Sequence, residues 1–152
     1  MKRIYPHPFF AREGWPFMGA TFLVAFLVDC FVDGFLVFFF WLLFLFVANF
    51  FRDPAREMPQ DEHAVVSPVD GRVVKIQEQT CPYTGKKMRM ISIFMNVFNV
   101  HSQKAPVAGK VMKVENFKGK FFNAALDKAS TDNERNAVVV KTPAGDTVCF
   151  VQ

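Results

Sequence analysis

A mostly β domain, built as a small barrel or sandwich and preceded by an N-terminal helical membrane hairpin, is the fold class this sequence predicts. Three observations predict it. Fourteen of the 20 Phe fall in residues 1–51, in two apolar runs. From Ala64 onward the periodicity changes to short strand-like runs. Gly, Pro, Asn and Asp separate those runs, as turns between strands require.

The first apolar run is Phe17 to Val28 and the second is Gly34 to Phe51, interrupted only by Asn49. By length the second is just sufficient to span a bilayer and the first is too short. Asp29-Cys-Phe-Val-Asp33 separates them. Two Asp at the bilayer centre would each cost a few kcal/mol, whereas at a hairpin tip they reach water or headgroups. Lys2, Arg3 and Arg12 precede the runs and Arg52 and Arg56 follow them. The positive-inside tendency then places both ends on the cytoplasmic face of the cell membrane. Trp15 and Trp41 are candidate interface anchors, although Trp41 sits mid-run, where packing serves equally. A buried helix pair in a soluble protein is the alternative, and the absence of any polar stripe on either arm argues against it. A cleaved signal peptide is disfavoured, because the apolar stretch is too long and no small-residue cleavage site follows.

The domain reading is therefore a membrane-associated hairpin over 1–52, a polar linker with two prolines over 53–63, and a β-rich domain over 64–152. Pro54 disfavours helix at Asp53 and closes the hairpin. Val65-Val66, Arg72 to Ile76, Met88 to Met95, Lys110 to Val114, Ala137 to Val140 and Thr147 to Val151 read as strands. Pro143-Ala-Gly-Asp146 reads as a hairpin turn. Residues 121–129 read as a helical turn or a loop. The chain stops at Gln152, directly after an apolar strand, which predicts an incomplete polypeptide.

At 152 residues, the chain suits one domain plus an appendage. Residues 1–51 carry three basic and three acidic groups, so residues 52–152 supply the whole net charge of +4. Cys30, Cys81 and Cys149 are odd in number and scattered, which fits reduced thiols better than a disulfide framework or a zinc site. No metal-ligand motif is present.

His101 is the strongest candidate for chemistry. The run Ile91 to Met95 leads through Asn96 to Val100 into this residue, which predicts a titratable group at the end of a strand. His7 and His63 lie before the apolar runs and in the linker, and solvation explains both. A histidine at a strand end is structural more often than catalytic. Asp70, in Ser67-Pro-Val-Asp-Gly71, is either an ordinary turn residue or a carboxylate that orients the imidazole. Asn133, Glu134, Arg135 and Asn136 abut a buried-looking strand, where polar groups need partners. They either satisfy backbone or bind a headgroup. Lys104, Lys110, Lys113, Lys118, Lys120 and Lys128 interleave with Phe117, Phe121 and Phe122. That pattern serves nucleic acid, an anionic lipid surface or plain solvation, and the apolar hairpin favours lipid over nucleic acid.

Together these segments resemble a known family. Phe50-Phe-Arg-Asp-Pro54, Ser67-Pro-Val-Asp-Gly71, Ile91-Ser-Ile-Phe-Met95 with Val100-His101 and Ala105-Pro106, and Lys128-Ala-Ser with Asn133-Glu-Arg-Asn136 resemble the short form of the phosphatidylserine decarboxylases, in order and over nearly the whole chain. The resemblance implies a pyruvoyl enzyme of phospholipid biosynthesis. Its proenzyme cuts itself before the serine of a Gly-Ser motif. That serine becomes the pyruvoyl group of a small α subunit, and this pyruvate-type cofactor removes CO2 from phosphatidylserine to leave phosphatidylethanolamine. The resemblance assigns His101 as base and Asp70 as its orienter in self-cleavage. It implies a membrane, phosphatidylserine and the α subunit as partners, no nucleic acid, and leaves oligomerisation open.

The sequence departs from the family in two places. Some longer members carry a second histidine three positions before the one matching His101, where this chain has Phe98. Protonation after CO2 loss then falls to His101, water or another group. No Gly-Ser dipeptide occurs in the chain. The expectation is a truncated β subunit that neither self-processes nor decarboxylates alone. Two other functions compete. One is an inactive, membrane-bound lipid-binding paralogue. The other is a membrane-tethered biotinyl- or lipoyl-like carrier, suggested by Ser67 to Ile76 and Met88-Arg-Met90. Arg89, however, cannot form the amide that such a carrier needs.

Overall fold

The computed structural model describes residues 8–57, 59, 61, 63–121 and 132–152. Most of the stretch read as a helical turn or loop over 121–129 lies outside the described residues. The chain forms two compact units. One comprises Met1–Glu62 with Asn96–Gln103, and the other His63–Met95 with Lys104–Gln152.

In the first unit a short 3-10 turn, Arg12–Gly14, leads into helix α1, Trp15–Phe31. Pro16 sits in the first turn, where its missing N–H costs nothing. Helix α2 is Phe35–Phe50. Between them Gly34 adopts φ +87°, a backbone state that a side chain resists, and so allows the tight reversal. The lengths reverse the sequence expectation. Arg12–Phe31 is the 20-residue helical stretch apolar enough to cross a membrane, while α2 is shorter. The sequence reading ended the first arm at Asp29, but one exposed carboxylate in a last turn does not end a helix, and α1 runs through it.

The arms meet through Phe and Trp rings. Phe22 packs edge-on against Trp41 and Phe44, at 5.7 and 5.6 Å between centroids, and Phe17 stacks on Phe51 at 5.5 Å. Trp41 is therefore a packing residue. Ala25 is fully buried, and no residue of α2 is. At the open end a bridge joins Phe10 to Arg52, and the Ala11 amide donates to the Phe51 carbonyl at 2.9 Å. The two outer ends of the hairpin thus lie side by side.

The second unit is antiparallel β. Strand β1, Arg72–Thr80, pairs with β2, Lys87–Phe94. Strands β3 (Lys110–Phe117), β4 (Arg135–Lys141) and β5 (Thr147–Val151) form a second sheet in the order β3-β4-β5. The fold is mostly β, as expected, but no closed barrel forms among the described residues, because the two sheets remain separate. Val65-Val66 is not a strand, although the Val66 amide donates to the Pro106 carbonyl. Central β4 holds the core, with Ala137, Val139 and Val140 buried. Gly145, at φ +92°, makes the expected turn between β4 and β5, closed by the Gly145 amide on the Thr142 carbonyl at 3.0 Å.

Candidate functional site

His101 lies in the first unit, and its setting corrects one expectation. Strand β2 ends at Phe94, so the strand does not run into the histidine. A tight turn intervenes. The Asn99 amide donates to the Asn96 carbonyl at 3.0 Å. The two Asn side chains close the turn further. Asn99 Oδ1 accepts from the Asn96 amide at 2.9 Å, and Asn96 Oδ1 accepts from the Phe98 amide at 2.8 Å. Asn suits this role because its short side chain reaches nearby backbone. Val100 is buried and anchors the exit of the turn.

His101 Nδ1 then sits 2.9 Å from the Asn99 carbonyl oxygen. A carbonyl only accepts, so this contact assigns the proton to Nδ1 and leaves the Nε2 lone pair as the basic site. The imidazole also stacks on Phe50, with centroids 3.9 Å apart and planes 26° from parallel. Arg52 completes the surroundings. Its guanidinium donates to the Asn49 carbonyl at 2.8 Å and to Asn49 Oδ1, and its other terminal nitrogen donates to the Phe98 carbonyl at 2.8 Å. Phe98 itself packs edge-on against Phe46 of α2.

Asp70 lies in the second unit, in the bend that enters β1. Backbone contacts fix that bend. Ser67 Oγ donates to the Val69 carbonyl at 2.6 Å, and the Lys104 amide donates to the Pro68 carbonyl at 2.8 Å. Gly71 has no alternative here, since a Cβ would lie 2.5 Å from the Phe94 carbonyl oxygen and 2.8 Å from Ile93 Cγ2. The Asp-Gly pair is thus set by the close approach of β1 to the end of β2.

The Asn133–Asn136 segment also belongs to the second unit. Asn133 bridges Lys120, and the Glu134 amide donates to the Lys120 carbonyl at 3.1 Å. Arg135 Nε donates to the Tyr83 hydroxyl at 3.1 Å, and its guanidinium lies 4.7 Å from the centre of the Phe117 ring. Tyr83 and Phe117 contact each other as well. Phe117, read from sequence within a basic-aromatic surface, is therefore engaged inside the unit. The Asn136 backbone pairs with Gln152, while its buried side-chain Oδ1 has no hydrogen-bond partner among the described residues. Buried acceptors of this kind are rare and call for a donor.

Sequence reasoning saw Phe50 and Arg52 in a family motif at the end of the hairpin, with Arg52 as a flanking basic residue, and it missed Asn99, Tyr83 and the pairing of two thiols. Cys81 and Cys149 share a side-chain hydrogen bond. Burial, reinforced by the charge of Cys81 and by that hydrogen bond, pushes the Cys149 thiol up to about 12. Burial also acts to raise Cys81, but hydrogen bonds from the Thr84 side chain, from backbone at Tyr83 and Thr84, and from Cys149 outweigh it and lower that thiol. The carrier-like Met88-Arg-Met90 lies within β2, paired with Gln79, Glu78 and Gln77, and not at a turn where an attachment residue would be presented.

The family of phosphatidylserine decarboxylases matches residues 43–152. The chain belongs to this family. Phe50, Arg52, Asp70, His101 and Asn133 to Asn136 all lie inside the matched stretch. Among relatives, the phosphatidylserine decarboxylase proenzyme of Paraburkholderia phymatum is 54% identical over 149 residues, covering 97% of this chain and 70% of its own length. That of Paraburkholderia xenovorans is 53% identical over 148 residues with the same coverage. The proenzyme of Burkholderia mallei is 56% identical over 149 residues, covering 68% of its length.

Proposed function

We propose that this chain supplies the membrane hairpin and the self-processing base of a phosphatidylserine decarboxylase proenzyme. The observation that carries the reading is the state of His101, with Nδ1 engaged by Asn99 and Nε2 left basic. In the complete proenzyme, Nε2 takes the proton of a serine hydroxyl as that oxygen attacks the preceding carbonyl carbon. The family motif is what assigns Asp70 to the same self-processing step. Because Nδ1 already donates to Asn99, the tautomer is held by the turn that carries His101.

The pyruvoyl group comes from that serine, which lies outside this sequence. Once formed, it supplies the electron sink that lets the substrate carboxylate depart as CO2. The residues present fit such a group. They offer an imidazole whose Nδ1 is engaged and, separately, a buried acceptor at Asn136 that matches the ammonium of an amino-phospholipid headgroup. Arg135, Glu134 and Asn133 support the strand that presents Asn136.

The partners follow from surfaces. Val73, Val74 and Ile76 of β1 and Val111, Met112 and Val114 of β3 are half or more exposed. All five residues from Arg72 to Ile76 are exposed, so the first half of β1 lacks cover among the described residues. An α subunit from the same proenzyme is the partner we assign to them. The hairpin inserts in the membrane with both ends cytoplasmic, consistent with the pairing of its basic outer ends through Phe10 and Arg52.

The test is CO2 release from phosphatidylserine vesicles by the complete proenzyme, with the mass of its small subunit measured in parallel. The proposal expects CO2 release and an N-terminal pyruvoyl mass. An intact proenzyme that binds the lipid without releasing CO2 would establish the non-catalytic paralogue instead.

A further inference from the structure

We propose that Phe50 and Arg52, at the foot of α2, are positioning residues that hold His101 in its working orientation. The inference rests on the assignment of His101 as the self-processing base and adds the device that sets it.

Three contacts carry it. The Phe50 ring lies against the imidazole at 3.9 Å, a separation that restricts rotation of the histidine ring about its outer bond. Arg52 spans two elements. One nitrogen caps the Asn49 carbonyl, a carbonyl in the last turn of α2, where helices leave acceptors unpaired. Its other nitrogen binds the Phe98 carbonyl, inside the turn that carries Asn99. That turn presents the Asn99 carbonyl to Nδ1 and so fixes the tautomer. The planar guanidinium makes both attachments at once from fixed directions, which a lysine ammonium on a flexible stem does not reproduce.

The chain order gives the arrangement its meaning. Phe50 is the last residue of the second apolar helix, and His101 comes some fifty positions later. The base is therefore braced by the end of the hairpin. A helix end held at a membrane surface then sets where the base stands, and the Phe50-Phe-Arg-Asp-Pro54 segment acquires a chemical role beyond ending a helix.

The experiment follows self-cleavage of the complete proenzyme, made by cell-free synthesis with anionic phospholipid vesicles, on a denaturing gel. Phe50→Leu, Phe50→Tyr, Arg52→Lys and His101→Ala are compared with wild type. Misplacing a reacting group by about 1 Å costs up to roughly a hundredfold, so Phe50→Leu and Arg52→Lys should each slow cleavage by about ten- to a hundredfold. Phe50→Tyr keeps the ring face and should cleave near the wild-type rate. Nitrogen NMR of histidine-labelled protein gives the readout that a merely structural role would not move. Wild-type His101 should carry its proton on Nδ1, and Phe50→Leu and Arg52→Lys should shift it toward Nε2.

Should Phe50→Leu fail to fold, Arg52→Lys keeps the charge and decides alone. Wild-type cleavage and an unchanged tautomer in Arg52→Lys would overturn the proposal. If His101→Ala blocks cleavage while both positioning variants cleave normally, the base stands and only this inference falls. If His101→Ala itself cleaves normally, the base assignment fails, and the brace has nothing to position.

Discussion

The helical hairpin and the β unit both expose apolar side chains, but in different patterns. On α2, apolar in sequence on every side, no residue is buried, and Phe35, Phe38, Leu42 and Leu45, spaced i, i+3, i+7 and i+10, form one exposed face. In the β unit, β4 is buried while β1 and β3 expose Val, Ile and Met. A helix that is apolar all round suits a solvent that is itself apolar. A sheet with one well-covered strand and bare neighbours suits a missing protein layer. The two patterns of apolar exposure thus suit the lipid contact and the protein partner proposed for them.

The largest break in that comparison should come from charge on α2. Phe38→Lys places an ammonium in mid-helix and should weaken insertion by about 3 kcal/mol, roughly a hundredfold, in a vesicle flotation assay. Phe38→Leu should float like wild type. Equal flotation of all three would mean that the hairpin meets protein and not lipid.

The β unit should respond according to cover. Val140 is 3% exposed, and Val140→Ala should cost about 2 kcal/mol in urea unfolding. Val74 is 61% exposed, and Val74→Ser should cost less than about 0.5 kcal/mol in this chain. In the complete proenzyme the Val74 cost should rise toward that of Val140. An unchanged small cost there would argue that nothing covers β1.

A pH dependence concerns the thiols. Cys149 is raised to about 12, so between its ordinary value near 9 and 12 the unfolded chain loses a proton that the folded chain keeps. Stability from this group is intact below pH 9 and declines as pH rises through that window. Cys81 is lowered, so its contribution is present above pH 9 and is lost as pH falls through its folded value. The contribution of the pair should therefore peak near pH 9. Cys149→Ala should flatten the alkaline decline relative to wild type in unfolding measured from pH 8 to 11.

Much of this architecture was legible in the residues. The short apolar run Thr147 to Val151 gave β5 its full extent, and Pro143-Ala-Gly-Asp146 gave its turn, because both signals are local. Arg72 to Ile76 was read too short, since Gln77 to Thr80 is polar and owes its strand state to pairing with β2. Asp29 misled the length of α1, because a charge is a weak stop signal next to an unbroken run of helix formers. At the site, His101 and Asp70 stood out by type and motif. The stack on Phe50 and the tie from Arg52 to Phe98 join residues some fifty apart in sequence, and no periodicity encodes such a contact.

The central claim is that His101 is the base through which the proenzyme matures. It is tested most directly by one denaturing gel of the complete proenzyme carrying His101→Ala, beside wild type, after equal times in vesicles. The account predicts a single uncleaved band for the variant and two subunits for wild type. Two subunits from the variant, formed at the wild-type rate, would contradict it.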